Sequence, residues 1–153
     1  MPFSETELRR AAMDLLGRRE HSREELWRKL RSRAATPEML EMVLDTLEAD
    51  QLLSDHRAAA SLVRSRISRG WGPVRIRQEL LQKGIAEDLV SIQLEAFADN
   101  WQQRAREVNV KKFGTAPVTD PGEKAKRIRY LQYRGFHLDT VTAVIDGREH
   151  DDQ

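Results

Sequence analysis

The sequence predicts an all-α protein, built as an elongated tandem array of three three-helix repeats. Three observations favour this fold. Apolar residues recur at helical spacing without strand-like alternation, caps and prolines mark helix starts, and the plan returns after roughly 50 residues. A chain with 39% hydrophobic and 33% charged residues also suits helices that are each covered on one side only.

The first repeat, residues 1–50, contains three predicted helices. Ser4 and Ser22 each begin a Ser-x-x-Glu capping box, which marks the start of a helix. Thr36 before Pro37 supplies an N-cap followed by a proline at the first helical position. The predicted buried stripes are Leu8, Ala12, Leu15 and Leu16; Leu26 and Leu30; and Leu40, Val43, Leu44 and Leu47.

The second repeat, residues 51–100, follows the same plan. A shift of about 50 residues places Leu26 and Leu30 on Ile76 and Leu80, so the apolar pattern of the second helix is repeated. The predicted boundaries are a cap at Asp55, helix ends at Gly70 and Gly84, a start at Pro73, and a last helix from Ile85 to Asn100.

A further repetition of the pattern predicts the third repeat, residues 101–147. The stretch 80–85 is matched by 130–136, each with a glycine near its end. The density of glycine and proline over 114–122 predicts a loop inside this repeat. The polar tail 148–153 is expected to fray.

Several classes of function find no support in the sequence. There is no cysteine, which excludes disulfides and thiolate sites and favours the cytoplasm. No apolar run approaches the roughly 18–20 residues that span a bilayer, so no membrane association is expected. No phosphate-binding glycine loop, nucleophile elbow or paired metal ligands are present, so we expect no enzyme, metal or cofactor. The scattered histidines are His21, His56, His137 and His150.

Charge is sorted along the chain, although the net charge is only +1. Acidic residues cluster between Glu38 and Asp55. A basic block follows between Arg57 and Lys83, where Glu79 is the one acid. A second basic block contains Arg104, Arg106, Lys111, Lys112, Lys124, Lys126, Arg127, Arg129 and Arg134.

The basic block of the second repeat is the best candidate for a binding surface. Arg57 and Arg64 lie on one face of a predicted helix, opposite Ala59, Leu62 and Val63. Arginine outnumbers lysine about three to one, and its planar fork binds phosphate and carboxylate groups bidentately. A solvated helix face is the alternative. The candidate binding residues are Arg57, Arg64, Arg66, Arg69, Arg75, Arg77, Lys83, Lys124, Lys126, Arg127, Arg129 and Arg134.

The aromatic residues allow two interpretations. Trp71, between two glycines, could stack on a base, but folding back over its own repeat is the more common role of a turn aromatic. Trp27 and Trp101 lie in helical stripes and are expected in the core. Core packing is also expected for at least two of Tyr130, Tyr133 and Phe136.

Three stretches of the chain resemble the RecX family of bacterial recombinase regulators. They are HSREELWRKL at 21–30, RGWGPVRIRQELLQKGI at 69–85, and YLQYRGF at 130–136. With their matching spacing they cover nearly the entire chain, and the middle stretch is the most specific. The chain departs from the family pattern at Ser54–Asp55, where paired acids are usual, at Ala58, near which the family has an aromatic residue, and at Ala34–Ala35, where a glycine is common.

The resemblance implies a non-enzymatic cytoplasmic protein, expected as a monomer, that lies in the groove of the RecA filament. Such a protein modulates, and usually inhibits, recombinase and SOS coprotease activity. The candidate cations would then contact RecA or DNA phosphates without sequence preference. Two alternatives remain open: a helix-turn-helix protein that reads duplex DNA directly, and a helical scaffold that binds only proteins.

Overall fold

The computed structural model describes residues 1–97 and 100–147, and this part of the chain is all-α, as predicted. A 3₁₀ turn at Arg31–Arg33 follows the second helix, and the described residues contain one isolated β-bridge and no strand. No helix among them is long and apolar enough to cross a membrane. The α-helices are α1 Glu5–Arg18, α2 Arg23–Leu30, α3 Pro37–Ala49, α4 Asp55–Ser68, α5 Pro73–Gln82, α6 Glu87–Phe97, α7 Trp101–Phe113, α8 Pro121–Tyr133 and α9 Leu138–Ile145.

The helices pack into two compact units. Unit 1 comprises Met1–Ser61 with Leu80–Val90, and unit 2 comprises Leu62–Glu79 with the described part of Ser91–Gln153. The core of unit 1 includes Leu8, Ala12, Leu26, Leu30, Leu40, Val43, Leu44, Leu47 and Leu53, which confirms most of the predicted stripes of the first repeat. The core of unit 2 includes Ala105, Leu131, Phe136, Val141 and Val144.

Helix caps follow the sequence closely. Both predicted capping boxes are formed, with Ser4 and Ser22 as the N-caps of α1 and α2. The predicted cap at Asp55 is wrong, because the Ser54 hydroxyl accepts the hydrogen bond from Arg57 N at 3.1 Å. Asp55 instead accepts from the backbone N–H of Arg23 at 2.8 Å and so binds the start of α2.

Three predicted boundaries change. The loop of the third repeat is shorter than 114–122, because Asp120 caps α8 and Pro121 and Gly122 already belong to that helix. Helix α6 begins at Glu87, two residues later than predicted. The predicted end of this helix at Asn100 is wrong, because Asn100 caps α7, with its side chain accepting from Gln103 N at 3.0 Å. The predicted tail 148–153 lies outside the described residues.

In unit 1, the turn that follows the second helix of each repeat contains a backbone carbonyl that accepts a hydrogen bond from an earlier part of the chain. Lys83 O, after α5, accepts from the Ser22 hydroxyl at the start of α2 at 2.6 Å. Arg33 O, after α2, accepts from Phe3 N at 2.7 Å. The N-terminal segment therefore contacts the turn after α2 in the same way as the start of α2 contacts the turn after α5.

Unit 2 contains a contact of the same kind one repeat later, and we call each contact between such a turn and the preceding part of the chain a joint. Arg134 O, in the turn after α8, accepts from Gly72 N at the start of α5 at 2.6 Å, and Gly135 O accepts from Val74 N at 2.9 Å. The two backbones touch, since a Cβ on Gly72 would lie 2.5 Å from the carbonyl carbon of Gly135. We call Arg33 O, Lys83 O and Arg134 O the turn carbonyls.

Replacing Gly72 by alanine should lower the free energy of unfolding by about 1–3 kcal/mol, because the new methyl group must push apart two hydrogen-bonded backbones. Urea denaturation monitored by circular dichroism measures this change. Gly17→Ala is the matched control: nothing lies within 4 Å of its Cβ position in α1, so stability should stay equal or rise. Equal stability of Gly72→Ala and the unaltered protein would contradict the close contact between the backbones at Gly72 and Gly135.

His21 is a buried titratable group beside the contact between Ser22 and Lys83 O. Its side chain is 2% exposed, with Nδ1 at 3.1 Å from Arg19 O and Nε2 at 3.3 Å from Lys29 Nζ. A neutral ring satisfies both contacts, with Nδ1–H donating to the carbonyl and Nε2 accepting from the ammonium. Burial lowers the pKa of His21, although its hydrogen bond to Arg19 O acts in the opposite direction.

The unfolded chain therefore binds a proton at His21 more readily than the folded one, and stability should fall as the pH drops below about 6.5. Urea midpoints between pH 7.5 and 5, a range that brackets the free histidine pKa of about 6.5, test this expectation. His21→Asn should flatten the profile, whereas His137→Asn, which alters an exposed histidine, should not. Identical pH profiles for all three proteins would refute a neutral buried His21.

Candidate nucleic-acid interface

Two arginines stack on Trp71 in unit 2. The Cζ atoms of Arg75 and Arg134 lie 4.0 and 3.9 Å from the centroid of the indole ring. Tyr133 packs edge-on against Trp71 at 6.0 Å between centroids, and Arg75 also lies 5.1 Å from the Tyr133 ring. We call Trp71, Arg75, Tyr133 and Arg134 the arginine–aromatic stack. A guanidinium group over an aromatic face is attracted by the ring, which favours one position of the side chain.

Glycine turns position this stack. Gly70 ends α4 with φ +84°, a conformation that other residues rarely adopt, and it turns the chain so that Trp71 follows directly. Arg134 Nε donates to Gly70 O at 3.2 Å, and its Nη2 donates to Arg69 O. Trp71 thus contacts the third repeat as well as its own, which differs from the predicted packing within one repeat.

The candidate cations divide into neutralised and available groups. Arg66 forms a bidentate pair with Glu79, with N–O distances of 2.7 and 2.6 Å, and this pairing raises the pKa of Arg66. Arg127 is 6% exposed and contacts Glu123 at 3.4 Å. Such pairs consume charge and donors that a phosphate would need.

Three further candidates are engaged in ion pairs near the surface. Arg57 Nε lies 3.1 Å from Glu20, and Lys83 Nζ lies 3.2 Å from Glu25, both within unit 1. In unit 2, Lys124 Nζ lies 2.7 Å from Asp146. Partly exposed pairs of this type contribute little to stability and can exchange partners.

The remaining candidates present cations to solvent or lie close to it. Arg64 is exposed, with its guanidinium 5.7 Å from the Phe97 ring. Arg77 Nη1 donates to Ser91 Oγ at 3.2 Å and is partly buried. The exposed candidates are Arg57 in unit 1 and, in unit 2, Arg64, Arg69, Arg75, Lys124, Lys126 and Arg129.

Sequence reasoning did not select the cations of α7, and the structure brings three of them to the stack. Arg104, Lys111 and Lys112 line a pocket of about 340 Å³ together with Trp71 and Arg134. Their basic block is visible in the sequence. Their approach to the α4–α5 turn is a tertiary contact, which spacing along the chain does not encode.

The acidic residues of α3 form ion pairs with an arginine of the same unit. Arg23 at the start of α2 binds Glu41 at 2.6 Å and Asp45 at 2.9 Å, and it also pairs with Glu48. Burial lowers the pKa of Arg23, but the hydrogen bonds that Arg23 donates to the three carboxylates outweigh this effect and raise the pKa overall. Part of the acidic stretch is therefore neutralised within unit 1. No group of three or more His, Cys, Asp or Glu residues among the described residues is arranged to hold a metal ion.

The other aromatics are placed largely as expected. Phe136 is 3% exposed, and Trp101 and Tyr130 pack against the same core of unit 2. Trp27 packs against the core of unit 1. Tyr133 is 61% exposed and belongs to the arginine–aromatic stack instead.

The helices of the described residues define an all-α helical-repeat class of protein, and comparison with family models makes the class specific. The models described as the first, second and third three-helix domains of RecX match residues 9–47, 54–92 and 99–145. The chain belongs to the RecX family, and its tandem array of three three-helix domains is the fold predicted from the sequence.

Curated relatives agree over almost the full length. The chain is 45% identical to "Regulatory protein RecX" of Pseudomonas fluorescens over 145 residues, 95% of this chain and 94% of that protein. It is 46% identical to the protein of the same name from Pseudomonas syringae pv. tomato, with the same coverage.

Solved structures show the same fold. A crystal structure of regulatory protein RecX aligns with a TM-score of 0.77 and 27% identity over 94% of this chain and 71% of that one. RecX from Lactobacillus salivarius aligns with a TM-score of 0.81 and 21% identity over 94% and 95% of the two chains.

Proposed function

We propose that this protein is a non-enzymatic, cytoplasmic and monomeric regulator that binds the groove of a RecA filament on DNA and inhibits RecA ATPase, recombinase and SOS coprotease activity. Family membership along the whole chain is the observation that supports this function most strongly. The family resemblance supplies RecA as the partner. The exposed cations of unit 2 supply a surface of suitable charge.

The contacts to the filament are proposed to come from the predicted cations. Arg64 and Arg75 are exposed, and each has a guanidinium held over an aromatic ring, so less side-chain freedom is lost on binding. Arg77 lies on the same helix as Arg75, near its start. Arg66 and Arg127 act indirectly in this proposal, since their carboxylate partners hold them inside unit 2.

Binding by these cations should be non-specific and steeply dependent on salt. Each phosphate contact releases counterions, so the logarithm of the binding constant falls linearly with the logarithm of salt concentration. Several weak contacts along a tandem array add to a useful affinity. DNA sequence should matter little, because phosphates carry no base information.

Charge reversal of Arg64, Arg75 and Arg77 to glutamate should abolish most of the effect on RecA. The experiment titrates the protein, at substoichiometric and equimolar ratios, into RecA hydrolysing ATP on single-stranded DNA. The unaltered protein should lower the rate in a dose-dependent manner. The triple variant should lose this effect and reduce the salt slope of filament binding by about three, one for each phosphate contact removed.

A matched triple variant separates these contacts from net charge. Arg10, Arg18 and Arg31 are exposed residues of unit 1, and reversing them changes the net charge by the same amount. This control should still inhibit RecA. An unchanged ATPase rate at every ratio, with tight sequence-selective binding to duplex DNA, would favour the helix-turn-helix alternative. Full inhibition by the Arg64, Arg75 and Arg77 variant would favour a scaffold that binds protein surfaces alone.

A further inference from the structure

The pocket beside the arginine–aromatic stack has an unusual concentration of positive charge. Its volume is about 340 Å³, within the range of small-molecule sites, and it lies wholly within unit 2. Five cations line it against a single carboxylate, that of Glu107. The cations are Arg69, Arg104, Lys111, Lys112 and Arg134.

Arg104 carries an unsatisfied donor at this pocket. Its Nε atom is buried and has no hydrogen-bond partner among the described residues. A buried guanidinium N–H without an acceptor is costly, and native structures usually provide one. Nε itself has almost no accessible surface, so an anion in the pocket would be held by the positive charge of Arg104, Lys111 and Lys112, which all line it.

A second part of the pocket suits a flat ring. Arg134 lies 3.9 Å from the Trp71 centroid and is fixed by donation to Gly70 O, which leaves a rigid guanidinium in the pocket lining. Tyr130 also lines the pocket. Unpaired nucleic-acid bases stack on aromatic rings and on arginine planes of this kind.

We propose that this pocket binds one nucleotide unit, with its phosphate held by Arg104, Lys111 and Lys112 and its base against Arg134 and Tyr130. Glu107 is placed to accept a hydrogen bond from a sugar hydroxyl or a base amine. The nucleotide comes either from solution or from an unpaired stretch of DNA. The second source rests on the proposed function, whereas the first does not.

Isothermal titration calorimetry of the full chain with dAMP tests the pocket. Binding should be saturable, and deoxyadenosine and inorganic phosphate should each bind much more weakly, because each lacks one of the two groups. Arg104→Met should weaken dAMP binding about tenfold or more, since it removes a charged hydrogen bond. Lys111→Gln alters an exposed residue and should weaken it in the same direction without affecting folding.

The control variant is Arg64→Met, which removes an exposed arginine that does not line the pocket. Its affinity for dAMP should remain within about twofold of the unaltered protein, a difference well under 1 kcal/mol. Competition with an oligothymidylate then separates the sources. Displacement of dAMP identifies an unpaired strand as a source, and dAMP binding that resists the oligomer identifies the free nucleotide.

Three results would overturn the assignment: no saturable dAMP binding, equal affinity of Arg104→Met, Lys111→Gln and the unaltered protein, or inorganic phosphate binding as tightly as dAMP. The titration contains no RecA. A failure of the ATPase experiment therefore leaves the pocket standing, and a failure of the titration leaves the filament proposal standing.

Discussion

The turn carbonyl after each second helix is the constraint on which the fold depends. Arg33 O, Lys83 O and Arg134 O each accept a hydrogen bond from chain that precedes them by many residues, at 2.6–2.7 Å. These hydrogen bonds satisfy backbone acceptors in the turns, so backbone groups as well as side chains specify how one repeat contacts the next. The size of the side chains then determines which residues fit at these close contacts.

The donors at the three joints differ, although the acceptor position is the same. Phe3 and Gly72 use a backbone N–H, whereas Ser22 uses its hydroxyl. At the third joint the glycines at 72 and 135 let the two backbones touch, and Arg134 sends its side chain back to Gly70 O. The same residue therefore closes the joint with its carbonyl and completes the stack on Trp71 with its guanidinium. Arg134 therefore belongs both to the contact between repeats and to the candidate site.

Local chemistry explains why so much of the fold could be predicted. Capping boxes at Ser4 and Ser22 and the Thr36–Pro37 start depend on residues three positions apart, so the sequence shows them directly. The error at Asp55 has a tertiary cause, because its carboxylate binds Arg23 N instead of its own helix. Repetition at one period supplied the tandem organisation without any knowledge of packing.

The candidate site was less accessible to sequence reasoning. A run of arginines indicates a cationic surface but not which members are neutralised, and Arg66 and Arg127 look the same in the sequence as Arg64. The pairing of Arg66 with Glu79, 13 residues away, became evident only from the distances, whereas Glu123 and Arg127 have the i,i+4 spacing of a helical ion pair. The contribution of α7 to the pocket depends on how that helix packs, which its spacing along the chain does not specify.

Amide hydrogen exchange at Gly72 and Val74, followed by NMR, tests the repeated joint most directly. The first N–H groups of a helix have no partner within it, so they exchange rapidly unless another element accepts them. With Arg134 O and Gly135 O as acceptors, both amides should be protected to a degree similar to that of buried Val63 in α4. Exchange of Gly72 and Val74 at the rate of an unfolded chain, while Val63 stays protected, would contradict the account.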